Sequence, residues 1–196
     1  MHLGERFYSD DELRGCGFRS IGRNVKIKRN AGLFFTENIA IGDDVRIDDF
    51  TIIVASREVV SIGSHVHISA HCYISGSDGF TAEDFCTLAP GVLIFTSSDD
   101  YTGKRLTNVT LPREYIGGPA GAVHLGRHVI VGAGTVVLPD VHIGEGSAVG
   151  AQSLVLKSLE SWGIYCGNPV TRLRARSRDL LALEKEFLDR SQRSSD

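Results

Sequence analysis

Aliphatic residues recur at every sixth position over much of the chain, with small or polar residues between them. In the C-terminal half, successive hexads begin at Leu125, Val131, Val137, Ile143, Val149 and Val155. Similar hexads begin at Ile62, Ile68 and Ile74, and at Ile21, Ile27, Ile41 and Ile47. A helix needs apolar residues three and four positions apart, and a half-buried strand needs strict alternation, so a period of six fits neither.

A six-residue period suits a coil in which each hexad is a short strand followed by a turn. The same position then points inward on every side, and each coil buries its apolar surface against the coils above and below. Small residues that follow the aliphatic ones, such as Gly132, Gly144 and Gly150, suit the turns, where the backbone must bend without a clash. The pattern therefore predicts an all-β solenoid of parallel strands over residues 21–175.

The two ends of the chain lack the repeat. Residues 1–20 are predicted to form an N-terminal cap with a short helix, which Ser9 caps and which ends at Gly15. Residues 176–196 are predicted to form a C-terminal helix with Leu180, Leu183, Phe187 and Leu188 on one face. We expect that face to pack against the last coil or a neighbouring subunit.

The hexads are interrupted near residues 33–40, 54–61, 76–81 and 95–123. The last interruption, "FTSSDDYTGKRLTNVTLPREYIGGPAG", is the longest and is rich in acids, hydroxyl groups, Lys, Arg and Tyr. Such a polar excursion from a regular repeat predicts a protruding loop at a functional site.

Charge and cysteine usage narrow the class of protein. The net charge is −3, and Lys and Arg are scattered, so a nucleic-acid partner is not expected. The four cysteines, Cys16, Cys72, Cys86 and Cys166, form no CxxC pair and indicate a reducing compartment. No signal peptide and no apolar run long enough to span a membrane is found, so we expect a cytoplasmic protein.

The C-terminal hexads and the segment that follows them resemble the hexapeptide-repeat acyltransferases, which fold as left-handed parallel β-helices. Val155, Lys157 and the Gly167-Asn168-Pro169 turn match the end of the sugar O- and N-acetyltransferases, such as galactoside acetyltransferase. Val170 replaces the usual Ala of that motif. The resemblance implies a three-sided prism with about 18 residues per coil and a homotrimer.

The resemblance also implies an acetyl-CoA groove between two subunits. Small residues would let the pantetheine arm run against the solenoid, and polar or basic residues would face the CoA phosphates. The implied groove residues are Gly132, Ala133, Gly134 and Ala151, with Lys157, Asn168, Arg172 and Arg174 at the phosphates. The glycines are also suited to be plain corner residues.

In these relatives the long loop covers the acceptor pocket, and a residue near its start is the catalytic histidine. The matching residue here is Asp99, a weaker base towards a hydroxyl group than histidine. Three explanations stay open. The acceptor is an amine, which needs no deprotonation before attack; or a histidine from the preceding coil, His71 among them, supplies the base; or Asp99 and Asp100 raise each other's pKa.

Further acceptor-binding residues are implied by the same resemblance. Ser77 and Asp78 lie in the bend one coil earlier, where the galactoside enzymes have an acceptor-binding Asp. Asp100, Tyr101 and Asn108 belong to a stretch that resembles the O-antigen and capsule branch of the family. The predicted activity is transfer of an acetyl group from acetyl-CoA to an oxygen or nitrogen of a sugar or nucleotide-sugar, in surface polysaccharide biosynthesis.

Two other classes of protein use the same fold. A γ-class carbonic anhydrase would bind zinc through three histidines, but His67/His71 and His124/His128 are four residues apart and point in diverging directions. No metal site is therefore expected. A catalytically inactive scaffold is the other alternative, since the loop lacks the histidine.

Overall fold

The computed structural model describes residues 7–193. It is a parallel β-solenoid of about seven turns with a short C-terminal helix, consistent with a left-handed β-helix. Short strands stack along the solenoid axis into three sheets, which we call the first, second and third faces. The predicted fold class is confirmed.

The strands are numbered in chain order. The first face contains β1 (Ser20–Ile21), β4 (Ile39–Ile41), β7 (Val60–Ile62), β10 (Phe80–Ala82), β13 (Val123–Leu125) and β16 (His142–Ile143). The second face contains β2 (Lys26–Ile27), β5 (Arg46–Ile47), β8 (His67–Ile68), β11 (Thr87–Leu88), β14 (Ile130–Val131), β17 (Ala148–Val149), β19 (Gly163–Cys166) and β20 (Thr171–Ala175). The third face contains β3 (Gly32–Phe34), β6 (Ile52–Val54), β9 (Tyr73–Ser75), β12 (Leu93–Phe95), β15 (Val136–Val137) and β18 (Leu154–Val155). The helices are α1 (Asp10–Gly15), a 3-10 turn (Thr36–Asn38) and α2 (Leu180–Arg193).

The strand register stacks the first residue of each hexad on its counterpart in the next coil. On the second face Ile47 pairs with Ile68, Ile68 with Leu88, and Leu88 with Val131. All of these side chains are fully buried. The core is therefore a set of aliphatic columns inside the prism, one for each face, and this arrangement is why a period of six was visible in the sequence.

The chain turns at three edges: the first edge joins the first face to the second, the second edge joins the second to the third, and the third edge joins the third back to the first. Left-handed backbone at the first edge falls mostly on residues other than glycine, namely Asn24, Asp44, His65, Phe85, His128 and Trp162. Gly132 and Gly150 have no such conformation. A Cβ at Gly132 would lie 2.5 Å from the backbone nitrogen of Ala151, so this glycine provides room for the next coil rather than torsional freedom.

All four interruptions of the hexads lie on the third edge. They occupy the connections β3–β4, β6–β7, β9–β10 and β12–β13, the last of which is the long loop at residues 96–122. Thr135 and Ser153, in the uninterrupted coils, are 18 residues apart, as predicted for one turn. Asp43 and Ser64, across an interrupted coil, are 21 residues apart. The extra chain is thus collected on one side of the molecule.

The N-terminal end is closed by helix α1. The Ser9 side chain accepts from the backbone N–H of Glu12, and Glu12 in turn accepts from the N–H of Ser9, which is a complete capping box. The same contacts, with Arg29, lower the pKa of Glu12 to about 2. Leu13 is buried against the first coil.

The C-terminal end is closed by a strand pair, not by the helix. Strand β20 runs antiparallel to β19 and extends the second face beyond the last parallel coil. Helix α2 instead lies along the first edge, where Glu184 contacts Arg127 and His128, and Phe187 packs edge-on against His65. Of the two expected partners of α2, the last coil is therefore replaced by the first edge within one chain, and packing against a neighbouring subunit stays a prediction.

The buried side of α2 also differs from the prediction. Leu180, Glu184 and Leu188 are half-buried, whereas Leu183 is 66% exposed. The helix faces the prism with a charged residue at its centre because Arg127 and His128 provide partners for it there. No helix among residues 7–193 has both the length and the apolar character needed to cross a membrane.

Candidate active site

An open groove of about 510 Å³ lies on the third edge, at the base of the long loop. Its walls come from two interrupted connections and from the returning end of the loop. The lining residues are Glu58, Val59, Asp78, Gly79, Ala120, Gly121 and Ala122. The interruptions that were separate in the sequence therefore build one concave surface.

The long loop leaves and returns through a short antiparallel stem. Ser97 pairs with Ala120, and the backbone N–H of Ser98 donates to the carbonyl of Pro119 at 2.9 Å. A Cβ at Gly118 would overlap the carbonyl oxygen of Ser98, so the two strands of the stem touch. The backbone at Asp99, one residue further, is fixed by this closure.

Thr96 connects the stem to the coil below it. Its buried hydroxyl donates to the carbonyl of Ser75 at 2.6 Å and accepts from the N–H of Asp78 at 3.0 Å. The predicted acceptor residues Ser77 and Asp78 are therefore brought to the base of the loop.

Asp78 and Ser77 already have partners in the coil below. Arg57 Nη2 lies 2.6 Å from both carboxylate oxygens of Asp78, and the Ser56 hydroxyl donates to Ser77 Oγ at 2.8 Å. The Asp78 side chain is 22% exposed, so its charge is compensated by Arg57 while it still reaches the groove. A sugar hydroxyl can still donate to such a carboxylate, because each oxygen has a second lone pair.

Asp99 and Asp100 differ in their surroundings. Asp99 is exposed, and its carboxylate has no hydrogen-bond or ion-pair partner within residues 7–193. Asp100 accepts from the N–H and hydroxyl of Thr102 and from the N–H of Arg105. The Thr102 contacts, foremost among these, lower the pKa of Asp100. The third explanation for the missing histidine was that Asp99 and Asp100 raise each other's pKa. The structure does not support it at Asp100, because the pKa of that carboxyl group is lowered.

The rest of the loop projects from the prism. Tyr101 is 93% exposed, and Leu106, Val109 and Tyr115 are also exposed. Asn108 Oδ1 accepts from the N–H of Thr110, so this residue stabilises a turn of the loop. The roles of Tyr101 and Asn108 in acceptor binding stay predictions.

His71 lies on the second edge, where its ring stacks on Phe50 with centroids 5.0 Å apart. Strand β9 separates this corner from the bend at Ser77 and Asp78, so a single chain does not bring His71 to Asp99. The other two histidines of this segment have partners, since His65 stacks on Phe85 and His67 pairs with Asp48 at 2.8 Å. A base role for His71 stays a prediction that needs a second copy of the chain.

Most of the predicted CoA residues gather at the C-terminal end of the second edge. Gly132 lies against Ala151, the carbonyl of Ala133 accepts from the N–H of Gln152, and the Gly167–Pro169 turn follows one coil later, with Asn168 exposed. Arg172 and Arg174 are exposed on the adjacent strand β20. Lys157 is apart from them, two residues beyond β18 at the third edge.

Sequence reasoning missed the groove residues Glu58, Val59 and Ala120–Ala122. The interruption at 54–61 was visible in the sequence. Its position beside the long loop was not, because it follows from all the insertions lying on the third edge of the folded solenoid. Within residues 7–193 no group of three His, Cys, Asp or Glu side chains could hold a metal ion.

Comparison with known proteins places these features in a family. The family model described as "Bacterial transferase hexapeptide (six repeats)" matches residues 122–157. The chain is 38% identical over 181 residues to dTDP-4-amino-4,6-dideoxy-D-glucose acyltransferase of Escherichia coli, covering 92% of this chain and 94% of that protein.

Solved structures agree with the sequence comparison. AntD, an N-acyltransferase from Bacillus cereus crystallised with dTDP and 3-hydroxybutyryl-CoA, is 41% identical with a TM-score of 0.91, over 95% of this chain and 98% of that one. A maltose O-acetyltransferase from Clostridium difficile 630 shares the fold at 20% identity and a TM-score of 0.62, over 90% of this chain and 80% of that one. The chain belongs to the hexapeptide-repeat family of acyltransferases.

Proposed function

We propose that this protein transfers an acyl group from acyl-CoA to the amino group of a dTDP-linked amino sugar. The observation that carries the proposal is the similarity, over nearly the whole of both chains, to AntD, a point mutant of which has been crystallised with dTDP-4-amino-4,6-dideoxyglucose and coenzyme A. The full-length similarity to the Escherichia coli acyltransferase supports the same substrate class.

An amine acceptor accounts for the missing histidine. A neutral amine attacks the thioester carbonyl without prior deprotonation, so a C–N bond forms and the C–S bond breaks. The amine then loses a proton, and the CoA thiolate gains one. We assign the proton-accepting role to Asp99, because its carboxylate is exposed at the base of the loop and has no partner within residues 7–193.

The third-edge groove is the acceptor site in this proposal. Asp78 and Ser77 contact the sugar from below, and Asp100, Tyr101 and Asn108 lie on the loop above it. Asp78 is held in place by Arg57, which supports a positioning contact to a hydroxyl group more than a role in proton transfer.

The donor site in this proposal is the C-terminal part of the second edge, with Gly132, Ala133, Gly134 and Ala151 along the pantetheine arm. Asn168, Arg172 and Arg174 face the phosphates, for which exposed guanidinium groups are suited. Lys157 is on a different edge, so its contact with CoA requires that the donor be bound between two copies.

A homotrimer satisfies that requirement and is supported by exposed apolar side chains. The third face directs Phe34 and Ile52 outward from the neighbouring strands β3 and β6, where they are 53% and 39% exposed. Neighbouring exposed apolar side chains of this kind are typical of an interface. Association of the second edge of one copy with the third edge of the next would also bring His71 near Asp99.

We further propose a cytoplasmic role in making an acylated sugar for a surface polysaccharide. All four cysteines lie among the described residues and are free thiols, which supports a reducing compartment. The nucleotide-sugar named for the relatives supports an activated building block as acceptor.

The test is a coupled assay of the purified protein with two donors and two acceptors. Acetyl-CoA and 3-hydroxybutyryl-CoA are each supplied with dTDP-4-amino-4,6-dideoxyglucose or with dTDP-glucose, which offers hydroxyl groups alone. We expect thiol release with the amino sugar, an amide product by mass spectrometry, and no release with dTDP-glucose. Thiol release with dTDP-glucose, or no thiol release with either acceptor, would overturn the proposal. The donor that reacts faster shows which acyl length the protein prefers.

A further inference from the structure

The first and second edges begin the same kind of side-chain stack but continue it differently. On the first edge the left-handed corner residues His65, Phe85 and His128, which we call the aromatic ladder, stack with centroids 4.8 and 5.1 Å apart. On the second edge the corner residues Phe50 and His71 stack in the same way at 5.0 Å. The next corner residue there is Gly91, which has the same left-handed backbone, with φ of 73°, and no side chain.

The position above the His71 ring is therefore open. A Cβ at Gly91 would meet nothing nearer than the backbone nitrogen of Gly134, at 3.8 Å. Phe50 is 56% exposed and His71 is exposed, so neither ring is covered by another part of residues 7–193. On the first edge, by contrast, Phe187 of α2 covers the ladder edge-on.

The open position is bounded on its far side by Gln152. A Cβ at Gly134 would overlap the Gln152 amide nitrogen, so this side chain lies over the next corner. The Gln152 amide has no hydrogen-bond partner among the described residues. The gap therefore has an aromatic ring on one side and a planar side-chain amide on the other, so a flat ring such as a nucleobase can be held between them by stacking.

We propose that the gap at Gly91 binds a nucleobase, which stacks on His71 as the next rung above Phe50. The inference rests on the proposed function, since both acyl-CoA and a dTDP-sugar carry a base, adenine in one case and thymine in the other. Phe50 supports the His71 ring from behind, and the Gln152 amide covers the opposite face of the base. His71 then acts as a stacking residue, and its proton is not required.

Filling the gap with a protein ring is the direct test. Gly91→Phe places a phenyl ring at this corner. Phenylalanine can adopt the left-handed backbone that the corner requires, since Phe50 and Phe85 already do so with φ of 61°. We expect the KM for one substrate to rise by about fivefold to 100-fold, the range that loss of base stacking covers. Gly91→Asn is the matched control, because Asn tolerates the same backbone but is too small to form a rung, and its effect should be far smaller.

Kinetics with different substrates show whether the bound base is the adenine of acyl-CoA or the thymine of the dTDP-sugar. If the base is adenine, Gly91→Phe raises the KM for acyl-CoA but not for the acyl thioester of pantetheine, which lacks adenosine. If it is thymine, the KM for the dTDP-amino sugar rises and the donor KM stays. Unchanged KM values for both substrates in a folded Gly91→Phe protein would overturn the inference.

Variants of His71 test the stacking inference if the Gly91→Phe protein does not fold. His71→Leu should raise the same KM, and His71→Phe should restore it, because a phenyl ring stacks but carries no titratable proton. A loss of kcat in both variants with unchanged KM would overturn stacking in favour of a base. Calorimetric titration of the wild type and Gly91→Phe with CoA and with dTDP needs no turnover. The inference is thus tested even if the proposed transfer activity is not found.

Discussion

The first and third edges of the prism are made by the same turn in the same repeat, yet they have opposite properties. The first edge has no insertions, and its aromatic ladder is covered by α2, with Glu184 bound to Arg127 and His128. The third edge carries every interruption, an open groove and an exposed carboxylate at Asp99 without a partner in the described chain. Edges of one regular solenoid can thus differ completely: one is closed by packing, and the other is left open as the candidate acceptor site.

The strongest test of this separation is at Asp99. Asp99→Asn should lower kcat by about 100-fold, the lower end of what a positioned general base contributes, with unchanged acyl-CoA affinity and unfolding free energy. Steady-state kinetics and calorimetry measure these quantities. Asp100→Asn is the comparison variant: the Asp100 carboxylate is already engaged by Thr102 and Arg105, so it is less able to accept a proton and its loss should lower kcat much less. Equal losses in the two variants would contradict the assignment.

The first edge should respond in the opposite way. Glu184→Gln removes the charge that pairs with Arg127 and His128 and should lower the free energy of unfolding by about 2 kcal/mol, with kcat unchanged. Urea denaturation followed by circular dichroism gives the difference. Glu186→Gln is the matched control, since Glu186 pairs with Arg190 on the exposed side of the same helix, and its effect should be close to zero. A large loss of activity in Glu184→Gln would show that the two edges are coupled.

Lys157 tests whether the third edge also serves the donor. Lys157→Ala should weaken CoA binding by about fivefold, as expected for one exposed phosphate contact, and leave the acceptor KM unchanged. The comparison ligand is dephospho-CoA. If the variant weakens CoA and dephospho-CoA equally, Lys157 does not contact the 3′-phosphate.

The smallest expected effect is a pH dependence at the first edge. Burial by itself would raise the pKa of Glu184, but hydrogen bonds from Arg127 and His128 lower it below the ordinary value. A carboxylate with a lowered pKa stabilises the fold above its unfolded-state pKa, and this contribution is lost as the pH falls through the folded-state value. The stability difference between wild type and Glu184→Gln should therefore shrink on acidification from neutral pH. A constant difference down to about pH 3 would contradict the ion pairing.

Much of the fold could be predicted because the core position of each hexad is set by one inward-pointing residue. Ile47, Ile68 and Leu88 carry that signal directly, and they stack as expected. The place of α2 could not be predicted in the same way, since its docking surface is made of corner residues about one coil apart, such as His65 and Phe85. A search for aromatic residues three positions before the first residue of a hexad would have found them.

The candidate site was predicted only where a motif exists. Asp99, Ser77 and Asp78 were identified by resemblance to the sugar acetyltransferases at two interruptions of the repeat, and the structure brings them to one end of the loop stem. The groove walls at Glu58 and Ala120–Ala122 could not be predicted in this way. They form because insertions of different length meet at one edge of the folded solenoid, which no local sequence pattern encodes. Contacts that need a second copy lie outside what one chain specifies.

The stem of the long loop has a consequence for how such proteins diversify. The chain leaves the prism after β12 and returns at β13, and Ser97 and Ala120 pair where the two ends of the loop meet. The chain therefore leaves and re-enters the prism at the same point, and lengthening the excursion costs little closure entropy. The segment between Thr96 and Gly121 can therefore be exchanged or lengthened while the core columns of the prism are kept, and under the proposed function such an exchange would alter acceptor preference alone.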